Sequence, residues 1–139
     1  MPVKHFELLA IDGKRFYKMG EKPRNVRIDH NSSVTSITEK GKSLVVIDFR
    51  FTANYQGIGV ISLEGGLTYD GDSREIIRQW RNERKMPDKV AQEVHQAIMS
   101  NCIPEAVIIA RDLRLPPPVP LPPIKFGGKP RESSGVEVA

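Results

Sequence analysis

The sequence predicts an α+β domain: strands first, helices after them, and a proline-rich extended arm at the end. Three observations carry that prediction. Between Ser43 and Tyr55, the residues Val45, Ile47, Phe49, Phe51, Ala53 and Tyr55 share one parity while Asp48, Arg50, Thr52 and Asn54 share the other, which is the period of a long half-buried strand. From Asp72 the apolar spacing changes to that of a helix, with Val90, Ala91, Val94, Ala97, Ile98 and Cys102 as its clearest stripe. Six prolines then fall between Pro116 and Pro123, removing backbone donors and forcing an extended, polyproline-like course.

Taken in order, Val3 to Phe16 reads as a first strand, with Phe6, Leu8 and Ala10 on one parity. Gly20 to Pro23 is a turn or loop, and Val26 to Ile37 a second, irregular strand in which Asp29-His30-Asn31 marks a bulge or bend. After Tyr55, Gln56-Gly57 turns the chain into IGVISLEGGLTY, where Ile61, Leu63, Leu67 and Tyr69 alternate with Ser62, Glu64 and Thr68. Two such runs joined by a tight turn form an antiparallel hairpin. Gly59, Gly65 and Gly66 are costly inside a strand unless the sheet bends or something packs closely against it. Asp72 or Ser73 caps a helix carrying Ile76, Ile77 and Trp80, which stops before Pro87. Asp88 caps the next helix, and Pro104, a favourable first-turn residue, starts a further one in which Val107, Ile108, Ile109 and Leu113 are mostly buried. Strands thus occupy 3–70, helices 73–114 and the arm 115–126 of a single domain, 1–126, and 127–139 is a flexible tail with no core pattern.

At 139 residues, 39% of them hydrophobic, the chain can bury one core and not two. Lys and Arg total 21 against 17 for Asp and Glu, a formal charge of +4, which falls short of what a dedicated duplex-DNA clamp shows. Cys102 is the single cysteine, so an internal disulfide framework is excluded and a cytoplasmic, reducing setting is expected. No apolar run approaches the roughly 20 residues of a spanning helix, so no membrane insertion is expected.

No catalytic residue, cofactor or metal is expected either. Of His5, His30 and His95, only His95 shares a helical face with Cys102, and two ligands fall short of the four a structural zinc site needs. The plain reading is a core-facing thiol and a helix-surface imidazole. Gly57-Ile58-Gly59 lacks the third glycine and the following helix of a phosphate loop, and Gly127-Gly128-Lys129 has no Walker spacing. Asp48, Glu64, Asp70 and Asp72 have no histidine or nucleophile placed to complete an acid–base constellation. One basic cluster stands out: Arg74, Arg78, Arg81, Arg84 and Lys85 beside Trp80. The first three share a helical face and could meet phosphates, although pairing with Glu75 and Glu83 makes an ordinary solvated face the plainer reading. In the arm, Leu115, Val119, Leu121, Ile124 and Phe126 interrupt the prolines, so one side of the extended course is apolar and must be buried or available to bind.

The order of elements, together with FELLAIDGKRF at the start, the hairpin LVVIDFRFTANYQGIGVISLEG and the passage VAQEVHQAIMSNCIPEAVIIARDLRLPPPVPLPPIKF, resembles the SecB family of protein-export chaperones in an archaeal-type form. The resemblance implies a four-stranded antiparallel sheet with helices packed on one face, assembly as a homo-oligomer, dimer or tetramer, and apolar grooves that hold unfolded chains. Members that hand clients to the SecA motor present an acidic sheet face, whereas this chain is net basic. Its aromatic complement is also thin, at five Phe, three Tyr and one Trp.

Two functions are consistent with these features. The first is an ATP-independent holdase for unfolded or exported polypeptides. Burial of apolar segments at roughly 25 cal/mol per Å² and strand-edge hydrogen bonding need no catalytic group. Its candidate peptide-binding residues are Trp80, Leu113, Leu115, Val119, Leu121, Ile124 and Phe126. The second is an RNA- or ribosome-associated protein that uses Arg74, Arg78, Arg81, Arg84 and Lys85, and it predicts a steep salt dependence that the first does not.

Overall fold

The computed structural model describes residues 2–23 and 26–119, and beyond these the backbone pairing of Lys125–Phe126 with Lys129–Pro130. Four strands, β1 (Val3–Arg15), β2 (Asp29–Glu39), β3 (Leu44–Tyr55) and β4 (Gly59–Asp70), form an antiparallel sheet in the order β1-β4-β3-β2. Two helices follow, α1 (Ser73–Glu83) and α2 (Asp88–Leu113). The α+β class and the order of elements agree with the sequence. β3 and β4 are central, and every odd-numbered side chain from Val45 to Tyr55 and from Gly59 to Tyr69 is buried. The helices cover that face; among the described residues the other is open. Tyr55 pairs with Gly59 across a turn in which Gly57 takes φ +86°, the left-handed geometry that glycine adopts without steric cost.

β1 departs from simple alternation. Its register against β4 slips between Leu8 and Ala10. Leu8 therefore faces the helices opposite Gly65, while Ala10 lies opposite Glu64 on the open face, and the extra residue, Leu9, is 74% exposed. The shared parity expected for Phe6, Leu8 and Ala10 ends at this bulge, which hands the helix-facing positions to Ile11 and Gly13. The close approach that the strand glycines implied occurs here. A β-carbon on Gly65 would strike the Glu7 carbonyl, and one on Gly13 would stand 2.8 Å from Ile109 Cγ2 of α2.

β2 begins at Asp29, not Val26, and the residues expected to bulge are in regular register: Asp29, His30 and Asn31 pair with Asn54, Ala53 and Thr52. The slip comes between Val34 and Ser36 instead. Asp29 and Asn31 are polar because they belong to the open face, and their polarity does not mark a break.

Asp72 caps α1, its carboxylate accepting from the Glu75 amide at 3.3 Å. The helix ends at Arg84, which takes φ 55° and donates its N–H to the Trp80 carbonyl. Two expectations about α2 fail. Asp88 lies in the first turn and Pro87 holds the cap position without a side-chain bond, so Asp88 acts only through its charge near the helix N-terminus. Pro104 does not start a new helix, because the 26-residue α2 runs through it. An interior proline costs one hydrogen bond and about 3 kcal/mol. Here, however, the buried line Val94, Ile98, Cys102, Ala106 and Ala110 continues across it, and sheet packing on both sides holds the helix together. The residues of the second half that face the sheet are the small Ala106 and Ala110, and Ile108, expected in the core, is 48% exposed.

The register also assigns the open face. It carries Glu7, Asp12, Asp29, Asp48, Glu64 and Asp70 against Lys14 and Arg50. The whole-chain charge is thus a poor guide to this surface, which is acidic although the protein is basic. Arg50 lies 3.5 Å from Glu64, and Asp48 accepts from Ser36 at 2.6 Å.

Candidate functional site

Among the described residues β2 is an unpaired edge, and from one end to the other its helix-facing residues meet three different elements. His30 Nε2 donates to the Pro118 carbonyl at 2.6 Å, pinning the start of the arm. Ser32 Oγ is hydrogen-bonded to Nδ1 of His95 in α2 at 2.7 Å. Val34 faces Trp80 across a cleft of about 420 Å³ that Met86, Ala91 and His95 also line. At the far end Glu39 stands 3.2 Å from Ser73 Oγ, at the first turn of α1, and that hydroxyl also has the nearer Gly41 and Lys42 carbonyls as acceptors. Burial holds the His95 pKa below its ordinary 6.5, so the imidazole sits neutral in this rim.

A second cleft of about 490 Å³ opens between Glu39 and the exposed face of α1, where Arg74, Arg78 and Arg81 line up. The shared face expected for these three is therefore present. Arg78 is held by Glu75 at 2.7 Å, which raises its pKa further. Arg84 lies 5.4 Å over the Trp80 ring, and with Lys85 it lines the neighbouring cleft.

The arm begins as part of the core. Leu115 is 5% exposed, packed where a β-carbon on Gly59 would be. Tyr55 donates to the Pro116 carbonyl at 2.6 Å, and burial pushes its own pKa up to about 12. Leu115, Pro116 and Pro118 thus cross the sheet end from β4 to β2. Of the residues singled out for peptide binding, Leu115 is buried, Leu113 is half-buried against Gly13 and Val119 is 38% exposed. Trp80 stands apart, beside Val34. Leu121 and Ile124 lie outside the described residues, and of Phe126 only the backbone pairing is described.

Sequence reasoning missed the opposite edge. Leu9 at 74%, Ile11 at 55%, Phe16 at 52% and Ile108 at 48% exposure place apolar side chains along β1 and the helix half beside it. A cleft of about 460 Å³ continues between β1 and α2, lined by Val3, Phe6 and Ala97. The surface histidine expected on α2 is also corrected, since His95 is half-buried and bonded to Ser32. Cys102 is buried as expected, and burial, with Glu105 nearby, pushes its thiol up to about 12.

No protein-family model matches the chain, and no curated protein matches it by sequence. Among solved structures it is similar to the Rv1957 SecB-like chaperone of Mycobacterium tuberculosis, determined in complex with a ChAD peptide from the Rv1956 HigA1 antitoxin. The two share 12% identity over 83% of each chain, with a TM-score of 0.59. The fold is that of a SecB-like chaperone. Among the described residues the sheet has two unpaired edges, β1 and β2, open to further pairing. β1 borders a mainly apolar cleft, and β2 a mixed one.

Proposed function

We propose that this protein is a polypeptide-binding chaperone that holds extended, unfolded segments along the β2 edge without using ATP. The observation that carries the reading is the coincidence of a strand edge unpaired among the described residues with a cleft whose apolar part, Val34, Trp80, Met86 and Ala91, is rimmed by Ser32, Ser33, Arg84, Lys85, Asp88 and His95. The edge offers backbone hydrogen bonds to any sequence, and the cleft takes one apolar side chain at a time. The likeness in fold to a chaperone captured with a peptide supports it. Holding of this kind needs no reaction, so the reading is of a binding protein and not an enzyme.

The two apolar sides have different tasks in this proposal. The β1 edge, 13 residues long and flanked by Leu9, Ile11, Phe16 and Ile108, serves self-association. The β2 edge serves clients. The test is suppression of aggregation of a chemically denatured client with no nucleotide present, beside RNA binding at two salt concentrations. Protection at equimolar protein with weak, salt-quenched RNA binding supports the holdase. Tight RNA binding with no protection overturns it.

A further inference from the structure

We propose that the rim formed by α1 and β2 selects extended polypeptide segments that carry acidic side chains a few residues from an apolar anchor, the anchor seated beside Trp80 and Val34 and the carboxylates against Arg74 and Arg81. The proposal rests on reading the β2 rim as a polypeptide site and names the class of segment it takes.

The two clefts lie along one strand. The one with an apolar floor is at Val34 and the cationic one at Glu39, about 14 Å apart at strand rise, since the slip after Val34 leaves four steps on the partner strand. An extended chain lying on β2 would pass both in a run of four or five residues. Charge along that path is one-sided. The linings contribute Arg74, Arg78, Arg81, Arg84 and Lys85 against the carboxylates Glu39 and Asp88. Arg78 is committed to Glu75. Arg74 and Arg81, both exposed, are left to meet an incoming anion.

A nucleic acid fits this surface less well. Binding of single strands relies on aromatic faces open to stack bases, and the sole tryptophan is covered on one face by the Arg84 guanidinium. The unpaired edge beside the cations complements a polypeptide backbone and not a phosphodiester one.

Fluorescence anisotropy on the full chain tests this with three labelled probes: a peptide with a leucine anchor and a flanking run of glutamates, the same peptide with lysines in place of glutamates, and an oligouridylate. The acidic peptide should bind at least about fivefold tighter than its lysine counterpart at low salt, as two or three exposed pairs allow. The ratio should fall toward one in 0.5 M salt or in the Arg74→Gln, Arg81→Gln double variant, whose fold is checked by circular dichroism. Equal or reversed affinity for the two peptides overturns the charge preference while leaving the β2 site standing. Failure of both peptides to bind overturns the site as well, and an oligouridylate that displaces the acidic peptide reassigns the arginines to RNA.

Discussion

The Ser32 hydroxyl sits 2.7 Å from Nδ1 of His95, tying the edge strand β2 to the N-terminal third of the long helix. Both residues line the cleft beside Trp80, and Ser32 lies two residues along β2 from the His30 anchor of the arm.

The burial of His95 makes the protein sensitive to mild acid. Burial depresses the folded-state pKa of His95 below 6.5, so the unfolded chain takes up the proton first as pH falls. The stabilisation is complete above the unfolded value and is lost as pH drops toward the depressed one. The melting temperature should decline between about pH 7 and pH 5.5, before most carboxylates titrate. In His95→Gln the decline over that window should be shallower. An identical slope in the two proteins would remove His95 from the account.

Gly13 and Gly65 should respond differently to a single methyl group. At Gly13 the obstacles are side chains, the branch methyl of Ile109 at 2.8 Å and a terminal methyl of Leu113 at 3.0 Å, and Gly13→Ala should cost about 1–3 kcal/mol as an overpacked site does. At Gly65 the obstacle is the Glu7 carbonyl within the β1–β4 ladder, which cannot move without breaking strand pairing. Gly65→Ala should be the more damaging of the two by urea denaturation. The reverse order would mean that the bulge at Leu9 yields more easily than the helix.

The strands and helices were legible wherever burial writes a period into the sequence. Val45 to Tyr55 alternates because one face is wholly buried, and Ile76 and Ile77 mark α1 for the same reason. The failures are positions where one residue type serves two local structures. Pro104 is as compatible with a first helical turn as with an exposed site in a helix that packing holds together. The bulge at Leu9 sits in an unbroken apolar run, Leu8 to Ile11, whose parity nothing in the residues reveals. The basic face of α1 could be read from spacing alone. Its neighbour Val34 could not, because a lone valine between serine and threonine carries no sign of the cleft it lines.

Cys102 should be inert in the native protein. It is fully buried, and its thiol is pushed up to about 12, so almost no thiolate exists at pH 8 and none is accessible. Labelling by an aromatic disulfide reagent should wait on opening of the core and accelerate sharply in urea. Immediate labelling of the folded protein would show that α2 separates from the sheet far more readily than its buried line implies.

The proposed assembly through β1 predicts that charge on the edge dissociates it. Leu9 and Ile11 are exposed to 74% and 55% in the single chain, so Leu9→Lys with Ile11→Lys should leave folding stability within about 1 kcal/mol, as for exposed sites generally. In sedimentation velocity the double variant should run as a smaller species than the wild type at micromolar concentration. A wild type that is monomeric at that concentration would reject the β1 interface.

The arm should divide at Pro118 into a part that stabilises the fold and a part that meets clients. Leu115 is 5% exposed and fills the space above Gly59, so Leu115→Ala should cost about 2–4 kcal/mol. Tyr55→Phe leaves the Pro116 carbonyl without its donor and should cost about 1–2 kcal/mol. Val119, at 38% exposure, is the first arm residue past the His30 anchor. Val119→Ser should therefore change the melting temperature little while weakening client binding. The two measurements must be made on the same preparation, because a destabilised chaperone loses apparent affinity simply by unfolding. If Val119→Ser lowers stability as much as Leu115→Ala and leaves client affinity per folded molecule unchanged, the arm beyond Pro118 belongs to the core and the client rim ends at His30.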